Sequence, residues 1–153
     1  MIKTLVGRLV LNDKWTSLGN YMIPKAKYTE TIKDGFGGYC KYKPFSCEIT
    51  IKDKYINDLG ILRHEQAHAR QYGRLFWLHS LLTMTSKTWR LISELEAYRS
   101  QVAVYGYTKE SQYEWIVKAI HGKYNLRKSI EEIRELCDYV FSDLLESNNL
   151  VKV

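Results

Sequence analysis

The sequence lacks the features that divide a chain into separate parts. No internal repeat, low-complexity tract or Pro/Ser-rich linker interrupts its 153 residues. A chain of this length can bury one hydrophobic core and is too short for two domains. An aromatic content of 13%, which includes twelve tyrosines, favours a packed fold over disorder. We therefore expect a single domain over residues 1–153.

Cysteines and long apolar runs are also scarce. Cys40, Cys47 and Cys137 contain no CxxC pair, so a disulfide framework is not expected and a reducing compartment, the cytoplasm, fits best. One bridge between Cys40 and Cys47 across a hairpin stays open. The most apolar stretch, residues 75–82, is far too short to span a bilayer. Residues 1–15 lack the continuous apolar core of a signal peptide.

Clustered positive charge is missing as well. The formal net charge is +6, from 23 Lys and Arg against 17 Asp and Glu, but no run of five basic residues occurs. Scattered charge of this kind describes a soluble surface with a basic bias. A basic nucleic-acid-binding domain is therefore a minor alternative, because no recognition motif supports it.

The pattern of the chain changes near residue 57. Before it lie strand-type runs separated by Gly and Pro, namely TLVGRLVL, YMIPKAKYT and GGYCKYKPFSCEITIK, of which residues 48–52 alternate with period two. After it we predict helices from residue 57 or 58 to 72 with Gly73 as the stop, from 86 to 105, from a cap at Thr108 to Gly122, and from a capping box at Ser129 and Glu132. Strand-rich to about residue 56 and helical afterwards, the chain is expected to be an α+β domain.

The pentapeptide HEQAH, residues 64–68, carries the most specific chemistry in the chain. On a helix, His64 and His68 lie on one face, one turn apart, so both imidazoles can reach one ion. Glu65 is rotated by about 100° from His64 and can instead reach a water molecule bound to that ion. These positions suit a zinc-activated water with Glu65 as its base. Two histidines satisfied on an ordinary helix remain the alternative.

A catalytic zinc needs a third protein ligand, and ELEAY at residues 94–98 offers one. Glu94, Ala97, Tyr98 and Gln101 share one helical face, so that the helix could pack closely against the HEQAH helix. Alternatively, ELEAY belongs to a surface helix on which Glu94 and Glu96 pair with Arg90 and Arg99.

Together, HEQAH and ELEAY resemble the glutamate-zincin (gluzincin) metallopeptidases, whose signature is H-E-x-x-H followed on another helix by E-x-x-A/S-D. With Gln71 included, the chain is more similar still to small bacterial and phage-type metallopeptidases that have H-E-x-x-H-x-x-Q and, later, E-x-E-A-Y. The resemblance covers residues 49–101. It implies a minimal zincin-like fold, in which a small antiparallel or mixed sheet packs on the active-site helix.

The resemblance also implies roles for individual residues. His64, His68 and Glu94 would bind Zn²⁺, with Glu96 as the alternative to Glu94, and Glu65 would be the general base. Tyr98 stands where many members have Asp, so Gln71 or a tyrosine hydroxyl would have to replace that support. Residues 47–52 would be the edge strand to which a peptide adds, unless they form an ordinary core strand.

Two further sets of residues are singled out by their chemistry. A developing oxyanion needs a donor, for which the candidates are Tyr98, Tyr105, Tyr107 and His121. His79 lies in the apolar segment at residues 75–82, and we interpret it as a structural histidine.

These observations predict a zinc-dependent hydrolase of amide bonds acting on a peptide, a protein or a peptidoglycan-type substrate. The second hypothesis is a zincin-like fold that no longer cuts and serves as a structural or binding component, for example of a phage particle, in which case the location would be the virion. The substrate and the oligomeric state lie beyond the sequence.

Overall fold

The protein is described by a computed structural model that covers residues 2–12, 14, 20, 23–32, 36–105, 110–123 and 128–146. These residues form an α+β fold, as predicted. Its elements are α1 (Ile2–Val10), β1 (Ala26–Thr29), β2 (Gly38–Lys43), β3 (Ser46–Lys52), α2 (Leu59–Leu75), α3 (Trp77–Thr85), α4 (Lys87–Ala103), α5 (Glu110–Lys123) and α6 (Ile130–Glu146).

The three strands form a mixed sheet in the order β1–β3–β2. β1 runs parallel to β3, and β2 runs antiparallel to it as a hairpin. The prediction that residues 47–52 form an edge strand is wrong, because they lie in the central strand β3. The alternating pattern of these residues arises because one face of β3, with Cys47, Ile49 and Ile51, is buried. Such a pattern does not indicate whether a strand pairs with one neighbour or with two.

A second prediction, that residues 4–11 form a strand, is also wrong. The pattern of TLVGRLVL predicts a strand, but the segment lies in α1 and the residue that follows. Val6 and Val10 are buried at a spacing of four, and Ile2 and Leu9 pack against the same core. Short apolar runs fit both periodicities, so only the partner surface distinguishes a helix from a strand here.

Several helix ends match the predicted signals and others do not. Asp58 caps α2 by accepting a hydrogen bond from the Ile61 amide at 3.0 Å. The helix then passes through buried Gly73 and ends at Leu75, and the next residue, Phe76, is its C-cap with a φ of 48°. α5 likewise continues through Gly122 instead of stopping there. A glycine tolerates a helix interior, so it marks an end only when the chain turns there.

The later helices begin largely as expected. Ser86 caps α4, which ends at Ala103, two residues before the predicted end. The capping box at α6 is present, since the Ser129 amide donates to Glu132 at 2.9 Å and the Glu132 amide donates to the Ser129 hydroxyl at 3.1 Å. Gly106, Tyr107 and Thr108 lie outside the described residues.

Two apolar cores flank the middle of the molecule. The larger one joins α1, α4, α5 and α6, and the smaller one joins the sheet to α2. α4 contributes Leu91, Leu95 and Val102 to the larger core, while its opposite side packs against α2. α2 therefore lies between the sheet and α4. Within the described part of the chain, no helix combines the length and the apolar character that crossing a membrane requires.

Candidate metal centre

The packing of α2 against α4 brings His64, His68 and Glu94 together. The two Nε2 atoms of the histidines are 3.3 Å apart. Glu94 Oε2 lies 3.7 Å from His64 Nε2, and Glu94 Oε1 lies 3.6 Å from His68 Nε2. Ligands at about 2.05 Å from a tetrahedral zinc ion are separated by about 3.3 Å from one another. Each histidine is closest to a different oxygen of Glu94, and one donor atom from each residue can be chosen so that all three lie within 4.8 Å of one another. The three side chains can therefore converge on one ion of that size with small adjustments of the Glu94 carboxylate.

The chemistry of this donor set also fits a divalent cation. The three side chains are between 11% and 13% exposed, so the group is sheltered and still reachable. Burial by itself lowers the pKa of His68, but the carboxylates of Glu94 and Glu65 and a hydrogen bond with Gln71 outweigh it, and the pKa is raised. Surroundings that attract a proton to the imidazole attract a metal ion for the same electrostatic reason.

The two carboxylates of ELEAY point in different directions. Glu96 is rotated by about 200° from Glu94 on the helix, away from the histidines. It accepts two hydrogen bonds from Arg74, at 2.6 and 2.8 Å, and a third from Gln71 at 3.2 Å. Of the two glutamates, only Glu94 lies beside both histidines, while Glu96 belongs to a buried ion pair.

The alternative in which ELEAY forms a surface helix does not describe the structure. All residues from Leu91 to Tyr98 are buried. Arg99 pairs with Asp143 of α6 at 2.7 Å, and not with Glu94 or Glu96. Arg90, the other expected partner, enters no ion pair among the described residues, and it lines a cavity at the site.

Gln71 contacts His68 on the side of the imidazole ring that faces away from Glu94. Its Oε1 lies 2.9 Å from His68 Nδ1 and also accepts a hydrogen bond from the Ser93 hydroxyl. Its amide nitrogen donates to the Ser93 carbonyl at 2.8 Å. A fully buried amide with its oxygen facing Nδ1 makes that nitrogen the N–H donor, which leaves Nε2 free to bind a metal.

Glu65 lies one position after His64 and faces the same opening. Burial raises its pKa to about 7, with His68 lowering it and Glu94 raising it further. Its carboxylate packs against Gly38 of β2, where an added Cβ would come within 3.2 Å of Oε1 and 3.0 Å of the Thr50 carbonyl. The sheet therefore approaches Glu65 closely because residue 38 has no side chain.

Two cavities meet at His64, Glu65 and Gly38. The first, of about 290 Å³, extends past Tyr98 towards Trp115, and we call it the Tyr98 cavity. The second, of about 220 Å³, extends past His68 and Glu94 towards Arg90, and we call it the Arg90 cavity. The donor set consequently lies at the middle of a cleft that is open on both sides.

Of the four candidate oxyanion donors, the structure places one beside the donor set. The Tyr98 ring packs edge-on against His64, with centroids 4.6 Å apart, and lines the Tyr98 cavity. Tyr105 instead donates to Asp58 at 2.7 Å, at the start of α2. His121 is exposed on α5 and lines neither cavity, and Tyr107 is outside the described residues. Burial raises the pKa of Tyr98, so its hydroxyl keeps its proton at neutral pH.

His79 is fully buried, as a structural histidine should be. The Trp89 indole donates to its Nδ1 at 3.2 Å, so the ring proton lies on Nε2, which is 3.0 Å from the Tyr42 hydroxyl. Burial lowers its pKa to about 3, and the nearby charges of His68 and Arg74 act in the same direction. His79 thus supports the wall of the Arg90 cavity from behind Tyr42.

The cysteines are free thiols. Cys40 pairs with Ile49 and Cys47 with Tyr42, so the two cysteines are diagonal neighbours across the hairpin. They share a hydrogen bond, which raises the pKa of Cys40. Cys137 lies in the larger core.

Sequence reasoning missed Arg90 and the Glu96–Arg74 pair as parts of this region. Arg90, Glu94 and Tyr98 follow one another at a spacing of four, which places them along one face of α4. That spacing was available in the sequence and would have pointed to Arg90. The Arg74 pair needed the α2–α4 packing, because its members are far apart along the chain.

Comparisons of the chain with protein-family models, with curated proteins and with solved structures gave no match.

Proposed function

We propose that the protein is a zinc-dependent hydrolase of amide bonds, most simply a small metallopeptidase. The observation that carries this proposal is the cluster of three donor atoms, one each from His64, His68 and Glu94 and all within 4.8 Å of one another, beside the buried carboxylate of Glu65. His64, His68 and Glu94 would hold the ion. When bound there, zinc supplies an acidified water and polarises a carbonyl oxygen.

Glu65 is the residue that moves protons in this proposal. With a pKa of about 7, it can accept a proton from the attacking water and give one to the departing amine at neutral pH. It borders both cavities, so a scissile bond placed between them lies within its reach. Tyr98 keeps its phenolic proton and is the donor to the oxyanion on the Tyr98 side of the cleft.

β2 is the element that would align a peptide. It is an edge strand of the described sheet, and it borders both cavities through Gly38. An extended peptide can add to such an edge by main-chain hydrogen bonds, as the resemblance to gluzincins implies. The edge strand of this proposal is therefore β2 and not residues 47–52.

The proposal is tested by loading the purified chain with zinc and measuring cleavage of a synthetic peptide library and of peptidoglycan by mass spectrometry. Glu65→Gln should retain one zinc per chain and lose roughly 10²- to 10⁴-fold in rate, because the proton acceptor is gone. Glu135→Gln is the matched control, since Glu135 is an exposed residue of α6 whose side chain is 68% accessible. It should leave both readouts unchanged.

Two outcomes would contradict the proposal. Absence of stoichiometric zinc in the wild-type chain would remove the metal site. Zinc without cleavage, together with a biological function that survives Glu65→Gln and is lost in His64→Ala, would favour the non-catalytic zincin hypothesis.

A further inference from the structure

Arg90 lies one helical turn before Glu94, on the same face of α4. It lines the Arg90 cavity together with His68 and Glu94. Four residues on a helix correspond to about 6 Å along its axis. The guanidinium group therefore belongs to the wall of the cleft beside the donor set, and not to the donor set itself.

The charge of Arg90 has no protein partner within the described part of the chain. Its Nε is buried without a hydrogen bond, and no described ion pair includes it. The expected partner on a helix, Glu94 at i+4, has its carboxylate oxygens 3.6 and 3.7 Å from the histidines instead. Three other arginines pair with carboxylates: Arg74 with Glu96, Arg99 with Asp143 and Arg134 with Glu114. Arg63 and Arg70 instead donate to the neutral side chains of Gln66 and Ser100.

Arg90 is half-buried, and its Nε is out of contact with solvent. A guanidinium group that is partly removed from water without a counter-ion loses some of its solvation and gains no compensating bond. A divalent cation bound at the metal site would neutralise the nearby Glu94 carboxylate and so leave the positive charge of Arg90 without a nearby negative charge. An anionic group that enters the Arg90 cavity would compensate the positive charge of Arg90. A guanidinium group binds a carboxylate through two parallel hydrogen bonds, and a carboxylate is the anionic group that a peptide carries at its chain end.

We propose that Arg90 binds the free carboxylate of the substrate, so that the enzyme cleaves an amide bond next to a carboxylate-bearing chain end. The inference rests on the proposed zinc hydrolase and names its substrate class. A cavity of about 220 Å³ is small beside ligand pockets of about 300 to 1,000 Å³, which suits one terminal residue more than a continuing peptide. Phe36, Tyr39 and Tyr42 line the same cavity and favour an apolar side chain on that residue.

The test uses two probes that differ only in the anionic group. 2-Benzyl-3-mercaptopropanoic acid carries a thiol for the metal and a carboxylate for Arg90, and its primary amide lacks the negative charge. Binding of each probe to the zinc-loaded full chain is measured by calorimetry, and the zinc content is measured in parallel. We expect the acid to bind roughly 10- to 100-fold more tightly than the amide.

Arg90→Gln should remove most of this preference, leave the affinity for the amide within about twofold and leave the zinc content unchanged. Arg90→Lys keeps a positive charge but lacks the two parallel donors of a guanidinium group. Its preference for the acid over the amide should therefore lie between those of the wild type and Arg90→Gln. Arg63→Gln is the charge-matched control, because Arg63 is exposed on α2 and bonded to Gln66, and it should behave like the wild type.

The outcomes separate this inference from the function on which it rests. A zinc-loaded chain that binds both probes equally would overturn the role of Arg90 alone. An equal loss for both probes in both the Gln and Lys variants would also overturn it, since that pattern indicates general damage to the cleft. A chain that binds no zinc would overturn the proposed hydrolase and this inference with it.

Discussion

The two sides of α4 differ in what they bury. Towards α1, α5 and α6 the helix presents Leu91, Leu95 and Val102, and the core there also contains Ile116, Ile133 and Phe141, each no more than 1% exposed. Towards α2 the buried groups are polar or charged: Glu65, Gln71, Ser93, Glu94 and Glu96. Apolar burial stabilises a fold, while buried charges at best break even. The apolar side therefore fixes the helix that holds the polar side in position.

This comparison predicts that the apolar side controls stability and leaves the metal site intact. Phe141→Ala should lower the free energy of unfolding by about 3 to 5 kcal/mol, because it leaves a cavity in the larger core. Urea denaturation measures the loss. Zinc bound per folded molecule should not change. Ser142→Ala, at the exposed neighbouring position, should stay within about 0.5 kcal/mol of the wild type. A smaller loss for Phe141→Ala than for Ser142→Ala would contradict the comparison.

On the polar side, the largest effect is expected where one member of the buried ion pair is removed. Arg74 and Glu96 have side chains that are 1% and 4% exposed. Arg74→Met leaves Glu96 buried without its counter-ion and should destabilise the protein by roughly 3 to 5 kcal/mol. The double variant Arg74→Met/Glu96→Leu should recover most of that loss. If the double variant were as unstable as the single one, the pair would contribute packing and not charge compensation.

The next largest effect is that His79 makes the free energy of unfolding depend on pH. Its pKa is about 3 in the folded protein, because burial disfavours the charged ring, and about 6.5 when unfolded. Between these values the unfolded chain binds a proton that the folded protein does not, so stability decreases as the pH falls from about 6.5 towards 3. The slope from this group approaches about 1.4 kcal/mol per pH unit.

The measurement is urea unfolding of the wild type and His79→Gln between pH 7 and 4. Because both proteins share every other titrating group, the difference between them isolates His79. The advantage of the wild type over the variant should shrink as the pH falls. A constant difference would mean that His79 takes up a proton in the folded state.

The smallest of these effects concerns metal affinity. Gln71→Leu removes the bond to His68 Nδ1, which fixes the orientation of the imidazole and which ring nitrogen carries the proton. Zinc affinity should fall by about 10- to 100-fold, as measured by competition with a chelator. Gln66→Leu, on the same helix, is the control because Gln66 bonds only to Arg63 among the described contacts. An unchanged affinity in Gln71→Leu would remove Gln71 from the site.

The apolar side is also the side that the sequence predicts well. The helical spacing of Tyr113, Ile116, Val117 and Ile120 predicts one buried stripe, and all four are buried. The same spacing predicts a stripe of Ile130, Ile133, Cys137, Val140 and Leu144, in which the middle three are buried and the two end residues are partly buried against the same core. The capping box of α6 needs only residues three apart, and it is present. Such features depend on local periodicity, which a single sequence contains.

The polar side could be predicted only in part, for two physical reasons. HEQAH fixes the relation of His64 to His68, because both lie on one helix. The direction of Glu94 and Glu96 depends on which side of α4 meets α2, and a helix buried on both sides has no polar face that would indicate it. The place of residues 47–52 in the centre of the sheet depends on β1, whose pairing is set by tertiary contacts and not by alternation.

The most direct measurement is the X-ray absorption spectrum of the zinc-loaded chain at the zinc edge, because it reports the ligands themselves. We predict two imidazole nitrogens and one carboxylate oxygen at about 2.0 to 2.2 Å, with the remaining position taken by water oxygen. In Glu94→Ala the carboxylate contribution should disappear, while in Glu135→Gln it should stay. Sulfur ligands at about 2.3 Å, or a fully hydrated ion with no imidazole, would contradict a metal centre formed by His64, His68 and Glu94.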